Sequence, residues 1–192
     1  MRELEEKILS EGKVLPGEVL KVGSFLNQQL DVAFLMKMGE EIARLFKDSG
    51  ITKILTIEAS GIAIAVAAAY KLGVPVVFAK KNKSSNVGSD VYATTVFSYT
   101  HNIENNVVVS KDYISSDDVI LIVDDFLAKG AALEGLIRLV DQAQAKCAGC
   151  AIAIEKGFQG GGDSIRAKGI RVESLAIIES MDDTSVTFRK QD

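Results

Sequence analysis

The sequence predicts an α/β fold with a central, mostly parallel sheet that is flanked by helices. Short apolar runs alternate along the chain with longer amphipathic patterns, as in β-α-β units. The runs are almost continuously apolar, which indicates strands that are covered on both faces. The 192 residues show no internal repeat and no long linker, so we expect a single domain over residues 1–192.

The composition is that of an ordinary globular protein. Hydrophobic residues make up 47% of the chain and charged residues 25%, so a full core can form without disulfide or metal cross-links. The formal net charge of -4 gives no net attraction to a polyanion, which argues against a nucleic-acid partner. The first ten residues are charged, and the most apolar stretch, 62–79, is interrupted by Lys71 and Pro75. We therefore expect no membrane span and a cytoplasmic protein.

The first half of the chain predicts a long helix, one β-α-β unit and a ribbon. Residues 31–49 place apolar side chains at helical spacing behind Asp31, the expected N-cap, and Gly50 closes this helix. The β-α-β unit has a strand at 53–57, a turn at 58–61, a helix at 62–73 and a strand at 74–81. Residues 82–116 are more polar and predict a mobile loop that leads into a two-stranded ribbon.

The second half predicts another β-α-β unit and two closing strands. Its elements are a strand at 119–123, a loop at 124–130, a helix at 131–146, a strand at 149–157, a short helix at 164–169 and strands at 171–178 and 186–190. Ligands of such sheets bind at the carboxyl ends of the strands. We therefore expect function in the turns that follow the strands.

The only two cysteines, Cys147 and Cys150, form a C-x-x-C pattern. Reactive pairs of this type usually begin a helix, where the helix dipole lowers the thiol pKa. This pair instead follows a predicted helix and enters an apolar run, and His101 is the only histidine that could complete a zinc site. We expect both cysteines to be structural.

Residues 119–133, VILIVDDFLAKGAAL, combine a buried strand, two acids and a small-residue loop that opens a helix. The small residues let backbone N–H groups approach an anion, and the helix adds its positive dipole end. Ionised Asp124 and Asp125 accept hydrogen bonds only, which suits two neighbouring sugar hydroxyls or the surroundings of Mg²⁺. The segment therefore suits a phosphorylated sugar.

This segment resembles the phosphoribosyl diphosphate (PRPP) binding motif of type I phosphoribosyltransferases, and is most similar to the adenine and xanthine members. Residues 57–61 look like the diphosphate loop of that family, 80–110 like its mobile catalytic loop and 155–161 like part of its base-binding hood. The resemblance implies the type I fold, with a small hood built from about 1–30 and 155–170 and a mobile β-ribbon loop.

The resemblance also implies the residues of the site. Asp124 and Asp125 are the expected catalytic residues, and Ser98 and Tyr99 are candidates on the mobile loop. The expected PRPP contacts are Glu58, Ala59, Ser60, Gly61, Lys81, Ala128, Lys129, Gly130, Ala131 and Ala132. Because the loop at 128–132 has no hydroxyl side chain, phosphate binding has to rest on backbone amides and on Lys129. Lys80 and Lys83 add positive charge near Lys81.

Four residues are expected to bind the base. Lys156 follows an apolar strand, and its ammonium can donate to a carbonyl oxygen but cannot accept from an amine, which favours a 6-oxopurine over adenine. Phe158 supplies an apolar or stacking face. The resemblance adds Leu20 and Asn27, and Asn27 can both donate to and accept from the 2-oxo edge of xanthine.

The resemblance implies an enzyme of purine salvage that transfers the 5-phosphoribosyl group of PRPP to N9 of xanthine. It also implies Mg²⁺ bound mainly through PRPP, and a homodimer, for which apolar residues of the N-terminal helices could supply the interface. Hypoxanthine and guanine stay open as substrates because Lys156 serves any 6-oxopurine, and adenine is the remaining base. A PRPP-sensing transcriptional regulator is a second alternative, although no basic recognition helix is visible before the first predicted strand.

Overall fold

A computed structural model describes residues 1–81, 90–98 and 103–191, apart from the side chains of Ser98 and Ile103. The helices in these ranges are α1 (Arg2–Glu11), α2 (Val32–Phe46), α3 (Gly61–Leu72), α4 (Ala131–Gln142) and α5 (Gly161–Ala167). The strands are β1 (Lys13–Leu15), β2 (Val19–Lys21), β3 (Lys53–Ile57), β4 (Val76–Lys81), β5 (Val91–Ser98), β6 (Ile103–Ser110), β7 (Val119–Leu127), β8 (Lys146–Lys156), β9 (Val172–Met181) and β10 (Val186–Phe188). Short helical turns cover Gly23–Asn27, Lys111–Tyr113 and Gly157–Gln159.

The central sheet of the described residues has the strand order β10-β9-β8-β7-β3-β4-β6-β5. Its five middle strands, from β9 to β4, are parallel to one another. The two ends of the sheet are antiparallel. Strands β1 and β2 form a separate hairpin. The prediction of a mostly parallel sheet flanked by helices is confirmed, and the carboxyl ends of β3, β4 and β7 meet at one edge.

Two apolar cores cover the two faces of the sheet. One contains buried side chains of α1, α2 and α3 together with Phe25 and Leu26, and the other contains the buried face of α4 and the ribbon β5–β6. Helix α2 shows why this packing forms. Asp31 caps it, since its Oδ1 accepts a hydrogen bond from the Phe34 backbone N–H at 3.0 Å. Met38 and Ile42 are fully buried on its inner face.

The ribbon β5–β6 folds over α4 and is fastened to it by side chains. Arg138 donates to the Thr94 hydroxyl and to the Thr95 carbonyl oxygen, both at 2.9 Å. Gln142 exchanges two hydrogen bonds with the backbone of Ala93. The described part of the ribbon is thereby held against the helix that follows the predicted phosphate loop.

Several boundaries differ from the sequence prediction: α4 ends at Gln142, β8 begins at Lys146 and β9 continues to Met181. The difference at β7 bears on the site. Strand β7 does not end at 123 but continues to Leu127, so Asp124 and Asp125 lie inside it and the loop is reduced to residues 128–130. The cause is pairing with β8, where Phe126 lies opposite Ile154 and Leu127 opposite Glu155. None of the helices in the described ranges is long and apolar enough to span a membrane.

Candidate active site

A cavity of about 330 Å³ opens at the carboxyl ends of β3, β4 and β7. It brings together seven residues that the sequence predicts for the site, namely Glu58, Ala59, Ser60, Lys81, Asp124, Asp125 and Ala132. Ribbon and strand residues complete the lining, namely Ile57, Val96, Phe97, Asn105 and Val107. The ends of β3, β4 and β7 therefore meet here, as expected at the topological switch point of a parallel sheet, where the strand order reverses.

The predicted diphosphate loop, residues 58–61, is held close to the acid pair. A Cβ on Gly61 would lie 2.3 Å from the Thr56 hydroxyl oxygen and 2.9 Å from Asp124 Oδ1, so a larger residue does not fit between β3 and β7. The Glu58 carboxylate accepts a hydrogen bond from the Lys81 backbone N–H at 2.7 Å. This bond joins the loop to the end of β4, and the Glu58–Ala59 peptide bond is cis.

The two adjacent acids have different surroundings. Asp124 is 6% exposed, whereas Asp125 is half-buried. Burial and the neighbouring charge of Asp125 raise the pKa of Asp124 well above its usual range, although the positive charge of Lys81 opposes this. Asp124 Oδ1 accepts a hydrogen bond from the Asp125 backbone N–H at 3.0 Å. The pair is a partly buried carboxyl site, in which a cationic or hydroxyl-bearing ligand would favour the ionised form of Asp124.

A buried hydroxyl lies beneath this pair. Thr56 is fully buried, and its Oγ1 has no hydrogen-bond partner among the described residues. The position next to Gly61 places it at the junction of the diphosphate loop and Asp124. Thr56 could not be singled out from the sequence, because a threonine inside an apolar run is also an ordinary strand residue.

The predicted phosphate loop is supported from below by the turn after β8. Gly161 donates its backbone N–H to the Ala128 carbonyl oxygen at 3.2 Å. A Cβ on Gly161 would lie 2.3 Å from that oxygen and 2.7 Å from the Gly130 backbone nitrogen. Ala131 begins helix α4, and the first N–H groups of a helix have no acceptor within the helix itself. This end of α4 can therefore donate to an anion.

The two lysines at the end of β4 point in different directions. Lys81 lines the cavity, whereas Lys80 lines a second groove of about 480 Å³ on the other side, together with Lys53, Phe78 and Tyr113. This is the alternation expected of a strand. Lys83 and Tyr99, and the side chain of Ser98, lie outside the described residues.

Three of the four predicted base-binding residues, Leu20, Lys156 and Phe158, lie around the end of β8, and none of the four lines the cavity. The Lys156 ammonium donates a hydrogen bond to the Glu18 carbonyl oxygen at 2.6 Å, and burial lowers the pKa of Lys156. Leu20 is buried in the hairpin, and Phe158 packs against the same core. Asn27 ends a helical turn and is exposed.

Glu155, the residue before Lys156, forms an ion pair with partly exposed Arg166. Glu155 is fully buried and accepts two hydrogen bonds from the Arg166 guanidinium, at 2.9 and 2.7 Å. The pair ties the end of β8 to α5, and Ser174 adds a hydroxyl contact to the same carboxylate. This pair was not predicted from the sequence, since an acid and a base eleven residues apart carry no local signal.

Comparisons with known proteins agree with this geometry. Residues 27–188 match the phosphoribosyl transferase domain family. A xanthine phosphoribosyltransferase of Bacillus cereus is 52% identical over 192 residues, which cover 100% of this chain and 98% of that protein. A xanthine phosphoribosyltransferase of Lactiplantibacillus plantarum is 50% identical over the same coverage.

Solved structures show the same fold. The adenine phosphoribosyltransferase of Giardia lamblia, in complex with 9-deazaadenine, superimposes with a TM-score of 0.78 and 24% identity, over 93% of this chain and 98% of that chain. The enzyme from Thermoanaerobacter pseudethanolicus gives a TM-score of 0.73 at 20% identity, over 91% and 98% of the two chains. With a family match over most of its length and this shared fold, the chain belongs to the phosphoribosyltransferases.

Proposed function

We propose that the protein transfers the 5-phosphoribosyl group of PRPP to N9 of xanthine, which yields xanthosine 5′-monophosphate and diphosphate in purine salvage. The observation that carries this proposal is the cavity itself, in which residues 58–60, Lys81 and the acid pair face one another. The full-length similarity to proteins named xanthine phosphoribosyltransferase supports the choice of base.

PRPP would lie along the carboxyl edge of the sheet with one part on each segment. The amides of residues 58–61 and the ammonium of Lys81 would hold the diphosphate. Asp124 and Asp125 would accept hydrogen bonds from the ribose hydroxyls. The 5′-phosphate would bind the loop formed by Ala128, Lys129, Gly130, Ala131 and Ala132, with backbone amides as the main donors.

The donor set fits Mg²⁺ that arrives with PRPP. Among the described residues, no cluster of three or more His, Cys, Asp or Glu side chains could hold a metal by itself. Asp124 and Asp125 nevertheless supply carboxylate oxygens, the ligand type that Mg²⁺ prefers, next to the expected diphosphate site. When bound, Mg²⁺ would offset negative charge on the diphosphate.

Positioning and electrostatics would supply most of the rate enhancement. The acid pair fixes the ribose, and carboxylate oxygens beside C1′ favour the positive charge that develops there. Residues 58–61 and Lys81 stabilise the departing diphosphate. The ribbon residues Val96 and Phe97 wall the cavity and limit the access of water to the reacting carbon.

The base would bind between the hood and the end of β8. The Lys156 ammonium has three N–H donors, and one of them binds the Glu18 carbonyl oxygen. Another can therefore donate to the 6-oxo group. Phe158 and Leu20 would pack against the ring, and Asn27 would reach the 2-oxo edge. Because Asn27 is exposed, it has to move toward the base to contact it. We therefore expect the hood to close over the bound base.

Turnover assays with four bases test the proposal. Purified protein, PRPP and Mg²⁺ are combined separately with xanthine, guanine, hypoxanthine and adenine, and diphosphate release is recorded. We expect the highest kcat/KM with xanthine. Turnover confined to adenine would overturn the role of Lys156, and no turnover with any base would overturn the assignment as an enzyme.

Asn27→Leu separates xanthine from the other 6-oxopurines. We expect kcat/KM to fall selectively for xanthine, by about 10-fold or more, because leucine cannot form the hydrogen bond that Asn27 would make with the 2-oxo edge. Equal losses for all bases would contradict this role. Leu30, an exposed residue in the same region, supplies a control as Leu30→Ala.

We further propose that the protein acts as a homodimer in the cytoplasm. Its proposed substrates, PRPP and xanthine, are small molecules, and the proposal includes neither a nucleic-acid partner nor a membrane partner.

A further inference from the structure

Cys147 and Cys150 are not used by the proposed function, and both lie in the first half of β8, far along the strand from Lys156. The pairing of β8 with β7 is irregular at this point. Cys147 lies opposite Ile120, Gly149 opposite Leu121 and Cys150 opposite Ile122, so Ala148 is an extra residue on β8. Gly149 has a φ of +140°, which a residue with a side chain rarely adopts. The strand therefore contains a bulge inside the C-x-x-C sequence.

The bulge places both thiols on the same face of the sheet. In a regular strand, residues three apart point to opposite faces. Here the partners of the two cysteines are two residues apart on β7, and both partners belong to the core that faces α4. Cys150 lies in that core, and Cys147 packs against it.

The spacing suits a covalent bond between the two sulfurs. Two residues along a strand correspond to about 6.6 Å, within the Cα separations of about 4.4–6.8 Å found for disulfides. The Cys147 sulfur lies 3.9 Å from the Gly149 carbonyl oxygen, so it points along the strand toward Cys150.

The two thiols differ in access and acidity. Cys147 is partly exposed, whereas Cys150 is fully buried. A hydrogen bond from the Cys150 thiol lowers the pKa of Cys147 to about 7, while the same contact and burial raise the pKa of Cys150 strongly. Cys147 is therefore the thiol that attacks, and Cys150 is the one that follows.

We propose that Cys147 and Cys150 form a redox-active dithiol, which a small disulfide oxidant such as oxidised glutathione converts into an intramolecular disulfide. The Cys147 thiolate attacks one sulfur of the oxidant, whose S–S bond breaks, and one glutathione leaves as its thiolate. Cys150 then loses its proton to solvent and attacks the Cys147 sulfur, and the second glutathione leaves. Two electrons pass from the protein thiols to the oxidant, and two glutathione thiols form.

The second step is aided by the first. Much of the rise in the pKa of Cys150 comes from its contact with Cys147 and from the negative charge there. Once Cys147 is bound to glutathione, its sulfur no longer carries that charge. Loss of the proton from Cys150 then becomes easier, although burial still opposes it.

The experiment follows free thiols and intact mass when the native protein is incubated with oxidised glutathione. We expect the native protein to lose both free thiols and two hydrogens in mass without retaining glutathione, and dithiothreitol to restore both thiols. Cys150→Ala should retain one glutathione on Cys147. Cys147→Ala should react at least about tenfold more slowly, because only the buried thiol remains.

Three results would overturn the proposal. They are a native protein that keeps both thiols while the unfolded protein reacts, a native protein that accumulates a stable glutathione adduct, and a Cys147→Ala variant that reacts at the native rate. Thermal melts of both variants verify that they fold. None of these readouts depends on PRPP or on a base, so they are independent of the proposed function.

Discussion

At the scale of single residues, the most consequential feature is the unequal environment of Asp124 and Asp125. The folded protein holds Asp124 in a buried position where ionisation is disfavoured, because burial and the neighbouring charge of Asp125 both raise its pKa. Such an arrangement costs stability in the free protein and favours a ligand that supplies hydroxyl donors or positive charge. If Asp124 had only a structural role, a neutral side chain of similar shape would fill its position equally well.

Asp124→Asn should therefore stabilise the free protein while it inactivates the enzyme. Asparagine keeps the acceptor for the Asp125 N–H but carries no charge. Each kcal/mol of relief corresponds to a rise in Tm of about 2–4 °C for a chain of this size. We expect kcat/KM to fall about 100-fold, because the charge facing the ribose is lost.

The effect on stability has a defined pH dependence. Because the pKa of Asp124 is raised in the folded state, the carboxyl contributes most favourably when it is protonated, below its unfolded pKa of about 3.9. The advantage of the Asp124→Asn variant should be absent there, grow as the pH rises and level off above the folded pKa. Thermal melts from acidic to neutral pH measure it. A variant less stable than the native protein at neutral pH would contradict this account. Asp48→Asn, at an exposed position away from the acid pair, is the control.

Gly161 is a second residue with a specific effect. Gly161→Ala would place a methyl group against the backbone of residues 128–130, which cannot move as a flexible side chain would. We expect the phosphate loop to shift and kcat/KM for PRPP to fall about 10- to 100-fold, mainly through a higher KM. Steady-state kinetics with varied PRPP measure this effect. Ser164→Ala, at an exposed position of α5, is the control and should behave as the native protein. An unchanged KM for Gly161→Ala would contradict the proposed role of the loop at 128–132 in binding PRPP.

At the scale of elements, the apolar runs predicted the strands of the parallel sheet, and helical spacing predicted α2, whereas the hairpin β1–β2 was not predicted. The strand at 53–57 matches β3, and Asp31 caps α2 as predicted. The extension of β7 through Asp124 and Asp125 could not be predicted, because polar residues inside a strand are specified by pairing with β8 rather than by their own pattern.

The sequence predicted those residues of the candidate site that lie at or just after the end of a strand. The loop at 58–61 and the acids met as expected because parallel strands bring their carboxyl ends together. Val96 and Asn105 were missed, since they reach the cavity only through ribbon pairing and the packing of the ribbon on α4. Leu20 and Asn27 came from family resemblance and not from any periodicity.

The connection between β8 and α5 gives a prediction about the stability of the fold. Arg166→Met should destabilise the protein by about 3–5 kcal/mol, because Glu155 would be left buried without its partner. The double variant Glu155→Met with Arg166→Met should recover most of this loss, since two apolar side chains of similar size replace the pair. Urea denaturation measures the free energies of unfolding. A double variant as unstable as Arg166→Met would show that the pair itself stabilises the fold.

At the scale of the whole molecule, helix α3 is apolar around most of its circumference. One side packs on β3 and α2, yet Val66 and Tyr70 on the opposite side are 53% and 76% exposed. A helix that is apolar on all sides is normally covered on all sides. The interface expected from the sequence lies on the N-terminal helices, where Leu9 and Val32 are also exposed. The all-round apolar character of α3 makes the stripe of Val66 and Tyr70 the better candidate for the contact with a second copy.

Charge introduced into this stripe should dissociate the proposed homodimer. Tyr70→Lys and Val66→Lys put a strongly hydrated ammonium group where a two-fold contact would bury it, next to the equivalent group of the second copy. We expect sedimentation velocity to report a dimer for the native protein and for the control Val32→Lys, and a monomer for the two α3 variants. Because Val66 and Tyr70 are exposed and do not belong to the buried core, each variant should keep its helical circular dichroism. A dimer that survives both α3 substitutions but dissociates in Val32→Lys would place the interface on the N-terminal helices instead.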